Sequence, residues 1–254
     1  NNCGMFKPIK KLGQNFLKDK HAILEMIQAL EMKDGETLVE IGPGLGALTT
    51  ELINFYANSP INIKAIELDI RFVDKLNNMF KEISNFEVIG GNILDWLPQY
   101  KGDNTKILGS LPYYITSPIV HEIIKMENPP EVAVLLIQKE VAEKISADAP
   151  DSSYMSCFVQ TFYEVEYMRT IDKKEFSPVP KVDGGVIKLT RRKQQKIKDI
   201  KAYQGFLHLA YSNPRKMLNK MFKEDERNRA SIDGEKRAQN YNWEKWVEAY
   251  TILR

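Results

Sequence analysis

Four consecutive residues, Ser110-Leu111-Pro112-Tyr113, have the side-chain types needed to hold a planar, amine-bearing ring. An exocyclic amine is a poor nucleophile, because its lone pair is delocalised into the ring. The short polar side chain of Ser110 and a carbonyl fixed by Pro112 could accept the amine's two hydrogens as its nitrogen becomes tetrahedral. The Tyr113 ring could hold the base by its face. Such chemistry needs a donor of the group transferred, and Glu40-Ile41-Gly42-Pro43-Gly44-Leu45-Gly46 upstream is suited to bind one.

The β-rich run Thr37–Ile41 leads into these glycines and then into a helical pattern. Glycines let the backbone approach a ligand closely, and a loop after the first strand sits at the carboxyl edge of the sheet, where such folds bind ligands. Glu67, ending the next strand, could hold ribose hydroxyls. Asn92 follows the third strand in Ile89-Gly90-Gly91-Asn92-Ile93-Leu94, where it could read an adenine edge. Taken alone, Gly42, Gly44 and Ala47 also satisfy G-x-G-x-x-[G/A], so the loop by itself leaves a nicotinamide-dependent dehydrogenase open. A hydride-transfer enzyme has no need for Ser-Leu-Pro-Tyr at the end of the fourth strand, whereas S-adenosylmethionine plus a base amine uses all four pieces. The reaction would be in-line displacement at the sulfonium methyl, with the protein aligning the attacking nitrogen and stabilising charge as it develops.

The elements that must position these residues alternate. Ile23, Leu24, Ile27 and Leu30 give residues 20–32 the apolar spacing of a helix. Thr37–Ile41, Ile61–Glu67, Phe86–Ile89, Lys106–Leu108 and Val132–Ile137 read as strands; Leu45–Tyr56, Ile70–Ile83, Ser117–Met126 and Lys139–Ser146 read as helices. This alternation predicts a doubly wound α/β domain with a parallel sheet and helices on both faces. Val159–Tyr167 and Gly185–Leu189 read as two further strands, an antiparallel edge pair. Past Thr190 the strand signals stop, and 201–211, 215–223 and 243–253 read as helices, with Pro214 and Gly234 as breakers. The sequence thus divides into a domain over 1–190 and a small all-helical domain over 191–254.

Composition fits a soluble globular protein: hydrophobic residues make up 43% and charged residues 28%. No apolar run approaches the roughly 20 residues that span a bilayer, and the N-terminus lacks a secretory signal's apolar core. The two cysteines, Cys3 and Cys157, make neither a disulfide framework nor a zinc site. No metal and no membrane partner are expected, and the setting expected is cytoplasmic. Between Thr190 and Lys223 ten Lys/Arg stand against one Asp, a local excess of nine in a chain of net charge +2, so the rest carries −7. That concentration suits a polyanionic partner, because each neutralised phosphate releases counterions; a merely solvated helical face is the alternative.

In order along the chain, Gly13-Gln14-Asn15-Phe16-Leu17, Glu40–Gly46 with Leu48-Thr49, Glu67-Leu68-Asp69, Ser110–Tyr113, Gln138-Lys139-Glu140-Val141-Ala142, Phe176-Ser177-Pro178-Val179-Pro180-Lys181-Val182-Asp183 and Arg215-Lys216-Met217-Leu218-Asn219 resemble the motifs of one family. They are similar to those of the ribosomal RNA adenine dimethyltransferases of the KsgA family, over nearly the whole chain. The resemblance implies an S-adenosylmethionine-dependent, Rossmann-like methyltransferase domain followed by a small helical domain that binds RNA or the ribosome. It implies a monomer whose substrate is two adjacent adenosines in the 3′-terminal hairpin loop of small-subunit ribosomal RNA, each converted to N6,N6-dimethyladenosine during ribosome biogenesis. Donor contacts carry over to Gln14, Asn15, Leu17, Gly42, Gly44, Glu67, Leu68, Asn92, Ile93 and Ser110. Ser110, Leu111 and Pro112 would face the reacting amine, and Tyr113 and Phe176 would sandwich the adenine, as expected for a splayed-out loop base.

Two positions depart from the family. Ser110 stands where Asn is usual and is shorter, and Asn92 stands where Asp is usual and can donate as well as accept. The first predicts slower methylation, with the second transfer most affected. Competing readings are an Erm-type enzyme acting on large-subunit RNA, against which Lys181-Val182-Asp183 and the C-terminal motif weigh, and a ribosome-assembly checkpoint with methylation secondary or lost. His21, His121 and His208 read as structural or surface residues, Asp69 as a helix cap, and Tyr114 as a packing residue.

Overall fold

The computed structural model describes residues 15–254. Chain order is β1 (Phe16–Leu17), α1 (Lys20–Gln28), β2 (Thr37–Ile41), α2 (Ala47–Phe55), β3 (Asn62–Glu67), α3 (Ile70–Met79), β4 (Phe86–Gly90), the short α4 (Ile93–Trp96), β5 (Thr105–Ser110), α5 (Thr116–Lys125), β6 (Val132–Gln138), α6 (Lys139–Ser146), α7 (Tyr154–Phe162), β7 (Tyr163–Ile171), β8 (Phe176–Ser177), β9 (Gly184–Arg191), α8 (Ile200–Ala210), α9 (Glu224–Ala230) and α10 (Trp243–Leu253). Seven strands form one sheet in the order β4-β3-β2-β5-β6-β9-β7, and β1 pairs with β8 in a second, two-stranded sheet. Strands β2 to β6 run parallel, with Ile41 opposite both Ile66 and Gly109. The order therefore reverses between β2 and β5, the switch point outside whose carboxyl ends α/β sheets bind ligands. The expected doubly wound architecture is present, and the β7/β9 pair occupies the edge opposite β4.

Two compact units emerge. One extends up to Lys139 and takes in Met168–Lys188; the other comprises Glu140–Tyr167 and Leu189–Arg254, so β7 and β9 carry the chain between them. A cut at residue 190 follows composition; the compact division also assigns α6 and α7 to the second unit.

The first unit's core is apolar on both sheet faces: Leu38, Ile63, Leu108 and Val134 share one face, Val39, Ile107, Ala133 and Leu135 the other, and all are at most 2% exposed. Helix α3 shows why such a sequence folds amphipathically, since Phe72, Val73 and Leu76 are buried while the Asp69 side chain caps its first turn. The buried lysine of this unit is paired. Lys106 is 2% exposed; its ammonium pairs with Glu36 at 3.1 Å and donates to the Glu31 carbonyl at 2.6 Å.

In the second unit, Trp246 is fully buried among Phe206, Phe222, Tyr211 and Tyr241. Its indole N–H donates to the Tyr211 hydroxyl at 3.1 Å, and Ser152 links that hydroxyl, 2.7 Å away, to the Tyr241 carbonyl at 2.7 Å. Two sequence expectations fail here. Val159–Tyr167 is not one strand: α7 runs to Phe162 and β7 starts only at Tyr163. The β-branched and aromatic residues are there because the helix is buried nearly all round, and a reciprocal Ser153/Ser156 capping box fixes its start. Nor do residues 215–223 form an α-helix. The Leu218 and Asn219 N–H groups donate to the Lys236 and Gly234 carbonyls at 2.8 and 3.0 Å, leaving only a single 3₁₀ turn, Leu218–Lys220; the next α-helix is α9.

A buried charge that loses its partner is expensive. Truncating Glu36→Ala is expected to cost about 3–5 kcal/mol in urea unfolding, and Glu36→Leu combined with Lys106→Met to recover most of it. A loss below about 1 kcal/mol for the single variant would contradict a dependence of Lys106 on Glu36.

Candidate active site

The loop after β2 is built from left-handed glycines: Gly42, Gly44 and Gly46 have φ of +68°, +55° and +85°. Gly44 also lacks room for a side chain, since a Cβ there would lie 2.7 Å from Cε1 of Phe16. The Phe16 ring thus sits on bare backbone and meets Phe72 edge-on, centroids 5.7 Å apart. Below the loop, Glu67 accepts the Gly44 N–H through Oε2 at 2.9 Å and the Asp69 N–H through Oε1 at 2.8 Å. Burial pushes the Glu67 carboxyl up, against the pull of those backbone donors. Asp69 itself caps α3, accepting the Arg71 N–H and pairing with the Arg71 guanidinium, the capping role expected for it.

Glu40 is wholly buried. Its Oε2 accepts the Thr49 hydroxyl at 2.8 Å, while Oε1 has no partner among the described residues. Burial, with Glu67 adding to it, pushes the carboxyl up to about 8. A neutral acid is what such an orphaned oxygen tolerates best.

At the end of β5 the Leu111 N–H donates to the Leu136 carbonyl at 2.9 Å, and the Ile115 N–H closes a turn onto the Pro112 carbonyl at 3.2 Å. The Tyr113 hydroxyl is buried without a protein partner among the described residues, and burial followed by the charge of Asp183 pushes it up to about 12. From the other side the β1–β8 ladder pairs Leu17 with Phe176 and Phe16 with Ser177. Asp19, two residues after Leu17, caps α1 and lies 3.8 Å from Arg169; that guanidinium also pairs with Glu25.

These pieces line one cleft of about 1170 Å³, measured out to its mouth. Asn15, Leu17, Gly42, Gly44, Glu67, Leu68, Asn92, Ile93, Ser110, Leu111, Pro112, Tyr113 and Phe176 all border it; Gln14 lies outside the described residues. Asn92 accepts the Leu94 N–H at 3.1 Å through Oδ1 as the cap of α4, so its side-chain oxygen is engaged by the helix. Phe176 borders the cleft but is only 2% exposed and belongs to the core, its ring filling space that Gly184 leaves. Phe16 and Phe72 also form cleft walls; sequence reasoning gave them no role, although Phe16 lies inside a motif it singled out. Tyr114 corrects an expectation: it is 56% exposed, not packed.

The residues fit a nucleoside donor. The left-handed loop offers backbone without side chains, Glu67 keeps lone pairs beyond the two it uses, and Leu68 and Ile93 supply apolar contact for a ring. Among the described residues no cluster of His, Cys, Asp or Glu is arranged to hold a metal, and no helix is long and apolar enough to cross a membrane.

The family model for ribosomal RNA adenine dimethylase matches residues 5–254. The chain belongs to that family. As a member of the dimethylase family it is a methyltransferase. A ribosomal RNA small subunit methyltransferase A of Sulfurihydrogenibium sp. (strain YO3AOP1) is 33% identical over 252 residues, spanning 97% of this chain and 96% of that one. The protein of the same name from Mycoplasmopsis pulmonis (strain UAB CTIP) is 38% identical over 212 residues, 82% of this chain and 81% of its own. Among solved structures, a dimethyladenosine transferase from Plasmodium falciparum superposes with a TM-score of 0.80 at 22% identity, over 92% of this chain and 95% of its own. The 23S rRNA methyltransferase ErmE gives 0.75 at 24%, over 94% and 99%. At those identities the two structures establish the shared fold.

Glu40 yields a pH test. With its ordinary value of 4.5 raised to about 8, the folded state keeps a proton that the unfolded chain releases. Its contribution to stability is fully present below the unfolded value and is lost as pH rises through the folded one. Glu40→Gln, neutral and nearly isosteric, is expected to remove this slope, so the melting temperature of the wild type should fall relative to the variant between about pH 5 and pH 8. A constant difference across that window would mean that Glu40 is ionised throughout.

Proposed function

We propose that this protein transfers methyl groups from S-adenosylmethionine to N6 of two adjacent adenosines in the 3′-terminal hairpin loop of small-subunit ribosomal RNA, acting as a cytoplasmic monomer during ribosome biogenesis. One observation carries the reading: the Ser110–Tyr113 turn and the glycine loop border the same cleft, at the switch point of the sheet. Membership of the dimethylase family and the names of its relatives support it.

Asn15, Leu17, the glycine loop, Glu67, Leu68, Asn92, Ile93 and Ser110 are the residues that would hold the donor. When bound there, S-adenosylmethionine supplies an electrophilic methyl group. Glu67 offers its spare lone pairs to ribose hydroxyls, and the Asn92 amide offers an N–H to a ring nitrogen. Tyr113 holds the adenine by a face and so sets the angle of attack; Phe176, only 2% exposed, backs the cleft wall from the core instead of offering the second face the sequence reading gave it. Ser110 Oγ accepts one amine hydrogen. The Pro112 carbonyl is engaged by its own turn, so the second acceptor is the Leu111 carbonyl, one peptide earlier. Both acceptors gain strength as positive charge develops on the nitrogen. The basic stretch from Arg191 to Lys223, most of whose Lys and Arg side chains are exposed, holds the phosphate backbone.

Labelled methyl transfer to small subunits lacking the modification, with products resolved by mass spectrometry, tests this reading. Dimethyladenosine at two adjacent loop positions is expected. In single turnovers Ser110→Asn should accelerate the second transfer more than the first, because a longer acceptor reaches the already substituted amine. Tight subunit binding without product would point to an assembly factor, and product on large-subunit RNA alone to an Erm-type enzyme; either contradicts the proposal.

A further inference from the structure

Tyr113 and Tyr114 occupy one turn, closed by the Ile115 N–H on the Pro112 carbonyl at 3.2 Å, yet they meet different surroundings. The Tyr113 hydroxyl is buried. Tyr114 is 56% exposed, more than any other Phe, Tyr or Trp among the described residues, and no ring there stacks on it. A lone exposed apolar side chain is ordinary. Tyr114 differs in its place, because it borders the same cleft as Tyr113 and Ser110. Two rings one Cα step apart, about 3.8 Å, thus differ: one keeps its hydroxyl buried and the other, bordering the same cleft, is more than half open to solvent.

From this we infer that Tyr114 is a binding residue for RNA, a stacking platform for the unpaired nucleotide adjacent to the target adenosine. The inference rests on the methyltransferase reading above. A base drawn into the cleft leaves its neighbour without a stacking partner, and that unstacking must be offset. An exposed tyrosine ring beside the entry offers the lost π-face, for any base, without hydrogen-bond readout.

Steady-state methyl transfer to unmodified small subunits, with wild type, Tyr114→Ala, Tyr114→Leu and Tyr114→Phe, decides the matter. The Ala and Leu variants should raise KM for the subunit about tenfold, with donor KM and melting temperature unmoved. Phe, a ring without the hydroxyl, should restore the wild-type subunit KM. Leu matching the wild type would mean simple apolar contact, and Ala matching it would mean no contact; both overturn the stacking assignment while leaving the methyltransferase reading intact. A wild-type protein that transfers no methyl group to subunits would instead remove that reading, and this inference with it.

Discussion

The Glu67 carboxylate is the joint on which the site depends. One oxygen holds the Gly44 N–H of the loop after β2, and the other holds the Asp69 N–H at the head of α3. It adds a second tie between the glycine loop and β3, beside the Gly42 N–H on the Ile66 carbonyl at 3.0 Å, and it holds the Gly44 backbone on which the Phe16 ring is seated. Phe16 in turn belongs to the β1–β8 ladder that sets Phe176. A chain of direct contacts therefore runs from a buried acid, through a glycine, to the aromatic wall of the cleft.

Much of this was legible in the sequence because it is local chemistry. Positive-φ positions demand glycine, so Gly42, Gly44 and Gly46 are visible without a structure. Proline beside a short polar residue and an aromatic marks a fixed carbonyl at a strand end, so Ser110–Tyr113 is visible too. Alternating patterns gave β2 and α6 to the residue and the other early elements to within a few residues. The misses share a cause, which is tertiary context. Helix α7 is rich in β-branched and aromatic residues because nearly every face is buried, and periodicity cannot separate that from a strand. Residues 215–223 carry helix-forming side chains, but the backbone donors of Leu218 and Asn219 are taken by the Gly234–Lys236 loop. Composition places a boundary at 190, whereas packing assigns α6 and α7 to the second unit. Exposure was equally invisible: nothing in the sequence says that Tyr114 faces water while Phe176 is buried.

The two units solve burial differently. In the first, polar groups under the sheet edge are few and engaged: Lys106 has Glu36, Glu67 has two backbone donors, and Glu40 has Thr49 for one of its oxygens. In the second, a fully buried tryptophan and a Tyr211–Ser152 hydroxyl pair organise an aromatic core, and charge is left to the surface. That arrangement lets a dense basic stretch exist without an internal electrostatic cost, since exposed like charges are screened by salt.

The most direct measurement is a crystal structure of the protein with S-adenosylhomocysteine and an adenosine nucleotide. The predicted result places the donor analogue along Gly42–Gly46 and Glu67. The adenine should lie against Tyr113, its N6 about 3 Å from Ser110 Oγ and the Leu111 carbonyl. A donor analogue seated away from the glycine loop, or an adenine outside the cleft, would contradict the claim that one cleft aligns both reactants.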